Sequence, residues 1–295
     1  MSQLDIRIGT LVNWNATAVK TIPQILPHGF ESFQLNAWQT IGDVNWKKYA
    51  ADVAKAIGNK AVVSSIGLFG NPLQDAKCAK EWEALIDNAH LFNTNICVGF
   101  AGAIEGKPVP ESMPQFKKVW GPLAQRAKDK GVKIAWENCD MGGRWEDPRW
   151  NIAHSPTAWA MMFDALSGYD NVGIEWEPTH QMVSLIDPLP QLRTLVSSGR
   201  LFHVHGKDAT IAWDVLKTSG LRGGKQWVWH RTPGFGDTNW TDVISILRQA
   251  KWTGAIDIEG WHDPVYRDTL EMTGQVFALN YLKNCRGGPF VPNPK

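Results

Sequence analysis

The sequence Val172–His180, VGIEWEPTH, decides the fold. It begins as an apolar run and then places Glu175, Trp176 and Glu177 before a proline, which lacks a backbone donor and commonly ends a strand. Because side chains alternate along a strand, the two glutamates share one face and the tryptophan points to the other. His180 follows in the turn. The stretch therefore predicts a buried strand that ends in two carboxylates and an imidazole.

The same pattern of an apolar run followed by helical spacing recurs along the chain. Further strands are predicted at Ile6–Val12, Phe30–Leu35, Ala61–Ile66, Ile96–Phe100, Val132–Glu137, Leu201–His205 and Ala255–Glu259. Ser155-Pro156 and Asp187-Pro188 are start signals of two of the intervening helices. Eight strands that alternate with helices predict a single-domain (β/α)8 TIM barrel over residues 1–285, in preference to a doubly wound open sheet.

Two segments fall outside this alternation. The connection 209–236 is long and carries three tryptophans, and connections of this length are commonly functional lids or disordered. We expect it to be a lid or a subunit contact, so a homo-oligomer is possible. The segment 286–295 is rich in proline and glycine and is expected to be an irregular tail.

Composition restricts the class of protein. The chain of 295 residues has a formal net charge of +1, which does not favour electrostatic binding of nucleic acid. Its four cysteines are widely spaced without a C-x-x-C pair, which indicates reduced thiols rather than a zinc ribbon or a disulfide framework. No secretory leader and no apolar run of membrane-spanning length is evident, so we expect a soluble cytoplasmic protein without a membrane partner.

Candidate ligands end four successive predicted strands: Glu137, Glu177, His205 and Glu259. In a barrel the carboxyl ends of the strands face one shared mouth, so these side chains are expected to meet. Three carboxylates and one imidazole suit one divalent cation, with Mn²⁺, Mg²⁺ or Co²⁺ preferred and Zn²⁺ possible. The alternative is a ring of acids held by salt bridges to Lys207 and Arg231.

Aromatic residues are the compositional exception, with 16 tryptophans. Trp14, Trp38 and Trp261 follow their predicted strands, so we expect them at the mouth, where aromatic faces pack on the C–H face of a sugar. Trp176 is expected to pack outward against the helices. Packing in the core is the alternative for each of them. Lys207 is a further candidate for substrate binding, or it forms a local ion pair with the next residue.

The motifs after residue 130 resemble the xylose isomerase-like TIM-barrel superfamily of sugar isomerases and epimerases. They are Glu137, EPTH at 177–180, HVHGKD at 203–208, RTPGFGD at 231–237 and Ile258-Glu259. The resemblance implies that the metal ligands are Glu137, Glu177, His205 and Glu259, that Glu137 and Glu259 also transfer protons, and that His180 and Arg231 hold the substrate. One departure is Glu177, since that family more often has aspartate there, and this leaves open whether Glu175 shares its role.

Abstraction of a proton beside a carbonyl gives an enediolate, which a divalent metal stabilises as a Lewis acid. Glu137 and Glu259 could address opposite faces of such a planar intermediate, which fits epimerisation. Isomerisation and elimination of water or an aglycone, as in a lyase acting on a keto-sugar or 3-keto-glycoside, proceed from the same intermediate and stay open. No phosphate-binding loop is evident, which favours an unphosphorylated sugar.

Three other classes of protein fit less well. Endonuclease IV, a relative of the same superfamily that uses three zinc ions, would need histidines after strands three and four, where the sequence reads SSIGLFGN and VGFAGA. A non-catalytic sugar-binding barrel would keep the tryptophans without needing the acids and histidine. A nucleotide-dependent oxidoreductase is disfavoured because no G-x-G-x-x-G follows the first strand.

Overall fold

Eight parallel strands close into a barrel in the computed structural model of the chain, which describes residues 5–287, 291 and 293–294. The barrel strands are β1 (Ile6–Asn13), β2 (Ser32–Trp38), β3 (Val62–Phe69), β4 (Ile96–Gly99), β5 (Lys133–Glu137), β6 (Val172–Trp176), β7 (Leu201–Gly206) and β10 (Gly254–Ile258). The numbers β8 and β9 belong to the two strands of a separate ribbon. Their order around the barrel is β1-β10-β7-β6-β5-β4-β3-β2. The predicted (β/α)8 barrel is confirmed.

The helices lie outside the barrel and follow their strands. They are α1 (Ala16–Ile25), α2 (Trp46–Ile57), α3 (Ala76–Asn88), α4 (Val109–Asp129), α5 (Pro156–Ala165), α6 (Pro178–Val183), α7 (Pro188–Ser197), α8 (Trp213–Ser219), α9 (Trp240–Gln249) and α10 (Glu271–Arg286). The predicted start signals are confirmed, because Ser155 and Asp187 accept hydrogen bonds from backbone N–H groups of α5 and α7.

Large tryptophans fill the layer between barrel and helices. Trp82, Trp120, Trp136, Trp176 and Trp240 are fully buried. The outward orientation predicted for Trp176 is correct, and its indole nitrogen donates a hydrogen bond of 2.6 Å to Gln181 in α6. This layer anchors α6, which follows β6 directly.

A polar cluster occupies the interior of the barrel. Asp257 of β10 is fully buried and accepts hydrogen bonds from the hydroxyl groups of Ser32 and Ser64. His203 of β7 lies between this carboxylate (Nε2–Oδ2 2.8 Å) and Glu175 of β6 (Nδ1–Oε1 3.0 Å). The cluster supports the mouth from below and joins β2, β3, β6, β7 and β10.

The long connection 209–236 is folded. β8 (Asp208–Ile211) and β9 (Val228–Arg231) form a two-stranded antiparallel ribbon, and α8 lies between them. The sequence prediction also missed α6, which begins where a turn was expected. In the expected tail, Arg286 is the last residue of α10, whereas residues 288–290, 292 and 295 lie outside the described part of the chain.

No helix in the described part of the chain has the length and apolarity to cross a membrane. All four cysteines are free, as the spacing predicted, and three of them are buried.

Candidate metal centre

Four side chains from four neighbouring strands converge at the mouth of the barrel: Glu137, Glu177, His205 and Glu259. Each offers a ligand atom that lies within 4.8 Å of the other three. His205 Nδ1 lies 3.0 Å from Glu137 Oε1, 3.6 Å from Glu177 Oε2 and 3.3 Å from Glu259 Oε2. All four residues are buried. The structure therefore brings together the four residues predicted as ligands.

The donor set fits a divalent cation. Within the described residues, both carboxylate oxygens of Glu177 and Oε2 of Glu259 are buried and receive no well-aligned hydrogen bond. Buried carboxylates that share one site repel each other and need a counter-charge. Three carboxylates and one imidazole are ligands that Mn²⁺, Mg²⁺, Co²⁺ and Zn²⁺ accept. A cation between them would satisfy oxygens that the protein leaves unpaired.

Glu175 supports the centre from behind. It lies one layer deeper in the barrel than Glu177, and its Oε1 is 3.1 Å from His205 Nε2, the ring nitrogen opposite the carboxylates. A carboxylate on the far side of an imidazole fixes the tautomer and orients the ligating nitrogen. The structure thus separates the two glutamates, with Glu177 beside the ligand atom of His205 and Glu175 beneath the ring.

Two asparagines position the ligand loops. Asn138 donates from Nδ2 to the backbone oxygen of Glu177 (2.9 Å) and accepts on Oδ1 from the backbone nitrogen of the same residue (2.7 Å). Asn151 donates to the backbone oxygens of Glu137 (2.8 Å) and Cys139 (2.7 Å). Both asparagines are fully buried. They hold the backbone of two candidate ligands without contributing a ligand atom.

Lys207 is a buried cation at the edge of the centre. Its ammonium group donates to Glu259 Oε1 at 2.8 Å and lies 3.8 Å from Glu177 Oε1. The local pair with Asp208 considered from the sequence is wrong, because Asp208 instead accepts from the backbone nitrogens of Ala209 and Thr238.

The carboxylates of the centre differ in proton affinity. Burial raises the pKa of Glu137 to about 7, and the nearby His205 only partly opposes that effect. Burial also acts to raise the pKa of Glu259, but the Lys207 ammonium outweighs it and brings the value to about 2. A bound divalent cation adds further positive charge and favours the ionised form of every ligand.

A cavity of about 730 Å³ opens above the centre. His180 of α6 lines it, with Nε2 2.8 Å from Glu177 Oε1 and Nδ1 3.6 Å from Asp140 Oδ1. Trp38, Trp261 and Lys207 also line it, in the region predicted for substrate binding.

Two residues predicted to bind substrate lie elsewhere. The prediction that Trp14 faces the mouth is wrong, because its ring packs against Trp46 and Tyr49 in the layer between barrel and helices. Arg231 does not line the cavity, because its Nε donates to Asp263 at 3.1 Å. The alternative of an acid ring paired to Lys207 and Arg231 therefore holds for the lysine alone.

Several cavity residues were missed by the sequence argument. His230 lines the cavity from the ribbon, and its ring centroid is 5.3 Å from that of His180. Alternation along β9 would have placed it on the face opposite to Arg231, had the ribbon been recognised. Cys139 and Asp140 follow β5 directly, and their position after a strand end is a signal that was available.

Comparisons with known proteins agree with this architecture. A xylose isomerase domain protein from Alicyclobacillus acidocaldarius subsp. acidocaldarius has a TM-score of 0.70 at 16% identity, over 95% of this chain and 98% of that one. For the 3-keto-D-glucoside 4-epimerase from E. coli the TM-score is 0.68 at 15% identity, over 95% and 100%. D-allulose 3-epimerase from Methylomonas sp., in complex with D-allulose, gives 0.64 at 17% identity, over 96% and 98%.

These likenesses show a shared fold. A search of curated proteins found no match. The family model described as xylose isomerase-like TIM barrel matches residues 24–283, which is most of the chain and includes all four candidate ligands. The chain belongs to the xylose isomerase-like TIM barrel family.

Proposed function

We propose that the protein is a divalent-metal-dependent sugar isomerase or epimerase that moves a proton next to a carbonyl of an unphosphorylated sugar or keto-sugar. The observation that carries the proposal is the convergence of Glu137, Glu177, His205 and Glu259 on one buried point beneath a cavity. A non-catalytic sugar-binding barrel would have no need of three buried carboxylates around an imidazole, which cost free energy unless a cation offsets them.

All four residues of the centre are proposed as metal ligands, and two of them also as proton carriers. Glu137, Glu177, His205 and Glu259 would hold the cation. When bound, it supplies positive charge that stabilises the negative charge developing beside the carbonyl. Glu137 and Glu259 lie at the ends of β5 and β10, which are three places apart around the barrel, and they are proposed to remove and return the proton.

Other side chains would hold the substrate and exclude water. His180 and Lys207 present donors to the cavity beside the proposed ligands, where sugar hydroxyl and carbonyl oxygens would bind. Their contacts with Glu177 and Glu259 fix both groups before substrate arrives. The burial of the centre keeps bulk water from the deprotonated substrate, so its proton is returned selectively.

The charge of the cavity favours an unphosphorylated substrate. Among the residues that the structure describes, Lys207 is the only lysine or arginine that lines the cavity. Its ammonium is already paired with Glu259 and lies near Glu177. Phosphate groups are ordinarily bound by free cationic side chains or by backbone N–H groups at a helix start.

The segment 209–236 is proposed as a lid. Its ribbon carries His230 to the wall of the cavity, so movement of the ribbon would open the site. Protease cleavage in the exposed stretch 220–226 should slow when metal and substrate are bound, as expected for a closing lid. Cleavage at an unchanged rate under saturating ligand would argue for a static subunit contact.

The function is tested by metal analysis followed by incubation with ketoses, aldoses and 3-keto-glycosides in D₂O. We expect one divalent cation per chain, of which Mn²⁺, Mg²⁺, Co²⁺ and Zn²⁺ are the candidates. Incorporation of deuterium at a carbon beside the carbonyl is expected, and chelation should abolish it. Release of water or an aglycone after exchange would identify a lyase on the same site. Exchange that survives complete metal removal would contradict the proposal.

A further inference from the structure

The cavity has two chemically different halves. One half carries ionisable side chains from β5, β7, α6 and the segments that follow β7 and β10. Among them are Glu137, His180, His205, Lys207 and Glu259. The opposite half is aromatic, because three successive strands each end in a large ring. Trp38 ends β2, Phe69 ends β3 and Phe100 follows β4.

The aromatic half is one continuous surface. Phe69 and Phe100 meet edge to face with ring centroids 5.2 Å apart and an interplanar angle of 89°. Trp38 packs edge to face on Phe100 at 6.1 Å, and the ring centroid of Trp150 lies 5.8 Å from that of Trp38. Edge-to-face rings hold each other in fixed orientations. The rings thus form a preformed wall of the cavity that Glu137, His205 and Glu259 also line.

This wall leaves apolar surface in contact with solvent. Trp38 is 55% exposed, and Trp261, which follows β10 and also lines the cavity, is 40% exposed. Met141, Trp150 and Trp261 have φ values of 51°, 61° and 69°, in the left-handed region that bulky side chains rarely adopt. Strained backbone of this kind persists where surrounding structure imposes it, commonly at ligand sites.

The volume of the cavity exceeds the need of one sugar ring. At about 730 Å³ it lies in the upper part of the range of roughly 300–1,000 Å³ in which proteins bind drug-sized ligands. A free sugar bound to the metal centre would leave the aromatic half filled with water. Water against Trp38, Phe69 and Phe100 is unfavourable, because these rings offer it few hydrogen bonds.

We propose that the substrate is a glycoside with an apolar, preferably aromatic, aglycone that packs against Trp38, Phe100 and Met141 while its sugar lies at the metal centre. The position of the sugar rests on the proposed function. The aglycone site does not, because its lining residues Trp38, Phe100 and Met141 are not among the four candidate ligands. The protein therefore discriminates its substrate from free monosaccharides by the group attached to the sugar.

The test measures binding by calorimetry, with metal-free and metal-loaded protein. The probes are the methyl and phenyl 3-keto-β-D-glucopyranosides, with the methyl and phenyl glycosides of other sugars as a panel. We expect the phenyl compound to bind about tenfold or more tightly than the methyl compound, since its ring removes on the order of 100 Å² of apolar surface from water. The ratio should be similar with and without metal.

A matched pair of variants locates the effect. Trp38→Ala should reduce the phenyl-to-methyl ratio to about threefold or less, because it deletes the ring at the centre of the wall. Trp252→Ala removes a half-buried tryptophan that precedes β10 at the end of the barrel away from the mouth, outside both the cavity and the segment 209–236, and should leave the ratio unchanged.

Several results would overturn the proposal. Equal affinities for methyl and phenyl glycosides would do so, as would a ratio that Trp38→Ala leaves intact or a panel in which no glycoside binds. A change of oligomeric state in Trp38→Ala with an unchanged ratio would assign the aromatic wall to contact between copies of the chain. If instead the ratio is seen but no deuterium exchange occurs, the aglycone site stands and the proposed function fails.

Discussion

Removal of the Asn138 side chain should weaken metal binding through Glu177 without touching any ligand atom. The side chain makes two hydrogen bonds, of 2.7 and 2.9 Å, to the backbone nitrogen and oxygen of Glu177. In Asn138→Ala both backbone groups stay buried and lose their partners. Each such loss costs roughly 1–2 kcal/mol, so the free energy of unfolding should fall by about 2–4 kcal/mol.

The second effect is on the position of the carboxylate. Glu177 would no longer be fixed where its oxygens face His205 Nδ1, and loss of a group that orients a ligand typically costs about 10–100-fold in metal affinity. Stability is measured by urea unfolding in the presence of a chelator. Metal affinity is measured without urea, where the variant is folded, by competition with a fluorescent chelator.

Asn171→Ala is the matched control. Its Nδ2 also donates to two backbone oxygens, those of Ala124 and Val132, but it precedes β6 at the end of the barrel away from the mouth. Because its two hydrogen bonds are only partly buried, Asn171→Ala should lose less stability, about 1–2 kcal/mol, and keep its metal affinity. If Asn138→Ala is destabilised yet binds metal as tightly as the unaltered protein, Glu177 is not a ligand that this asparagine positions.

The remaining predictions concern turnover, packing and acid stability. Glu259→Gln should retain substrate affinity and lose about 10²–10⁴-fold in kcat, because an amide can keep one oxygen but cannot carry the proton; most of kcat surviving would leave Glu259 at most a ligand. Trp176→Ala should lower the free energy of unfolding by roughly 3–5 kcal/mol in urea titrations, since the ring is fully buried between barrel and helices. Glu31 is partly buried, which acts to raise its pKa, but its hydrogen bonds with Arg286 bring the pKa below the ordinary value. The stabilisation that ionised Glu31 provides is therefore complete above the unfolded pKa and is lost as pH falls through the lowered value, so unfolding curves of Glu31→Gln and the unaltered protein should converge in acid and differ at neutral pH.

Periodicity predicted the barrel because each strand and helix has its own local pattern of apolar residues. The sequence predicts a strand that runs from Val172 up to Pro178, and β6 ends at Trp176; strand ends elsewhere differ by a few residues, as at β2, which extends to Trp38. The four candidate ligands followed from the same rule, since each lies at the end of a strand and all strand ends of a barrel face one mouth.

The predictions of site residues failed where the position of a residue relative to a strand does not fix the direction of its side chain. Trp14 lies one residue beyond β1, and its ring turned into the helix layer because Trp46 and Tyr49 provide an apolar contact there. The ribbon was missed because β8 and β9 are short, four residues each, and are separated by a helix. Without the ribbon, periodicity does not assign His230 to the cavity, whereas the family resemblance implies Arg231, which pairs with Asp263 instead.

The ribbon gives the site a wall that is exchangeable as a module. In the described chain β8 pairs only with β9, so this unit shares no ladder of hydrogen bonds with the eight barrel strands. A carboxylate outside its two strands fastens its backbone, because Asp237 accepts from the backbone nitrogen of Ile211 at 2.8 Å. Grafting a ribbon of different sequence between residues 208 and 238 would therefore replace His230 while the register of the barrel, and with it the candidate metal centre, stays as it is. New substrate preferences can therefore arise by replacement of the ribbon, while the strand pairing of the barrel is unchanged.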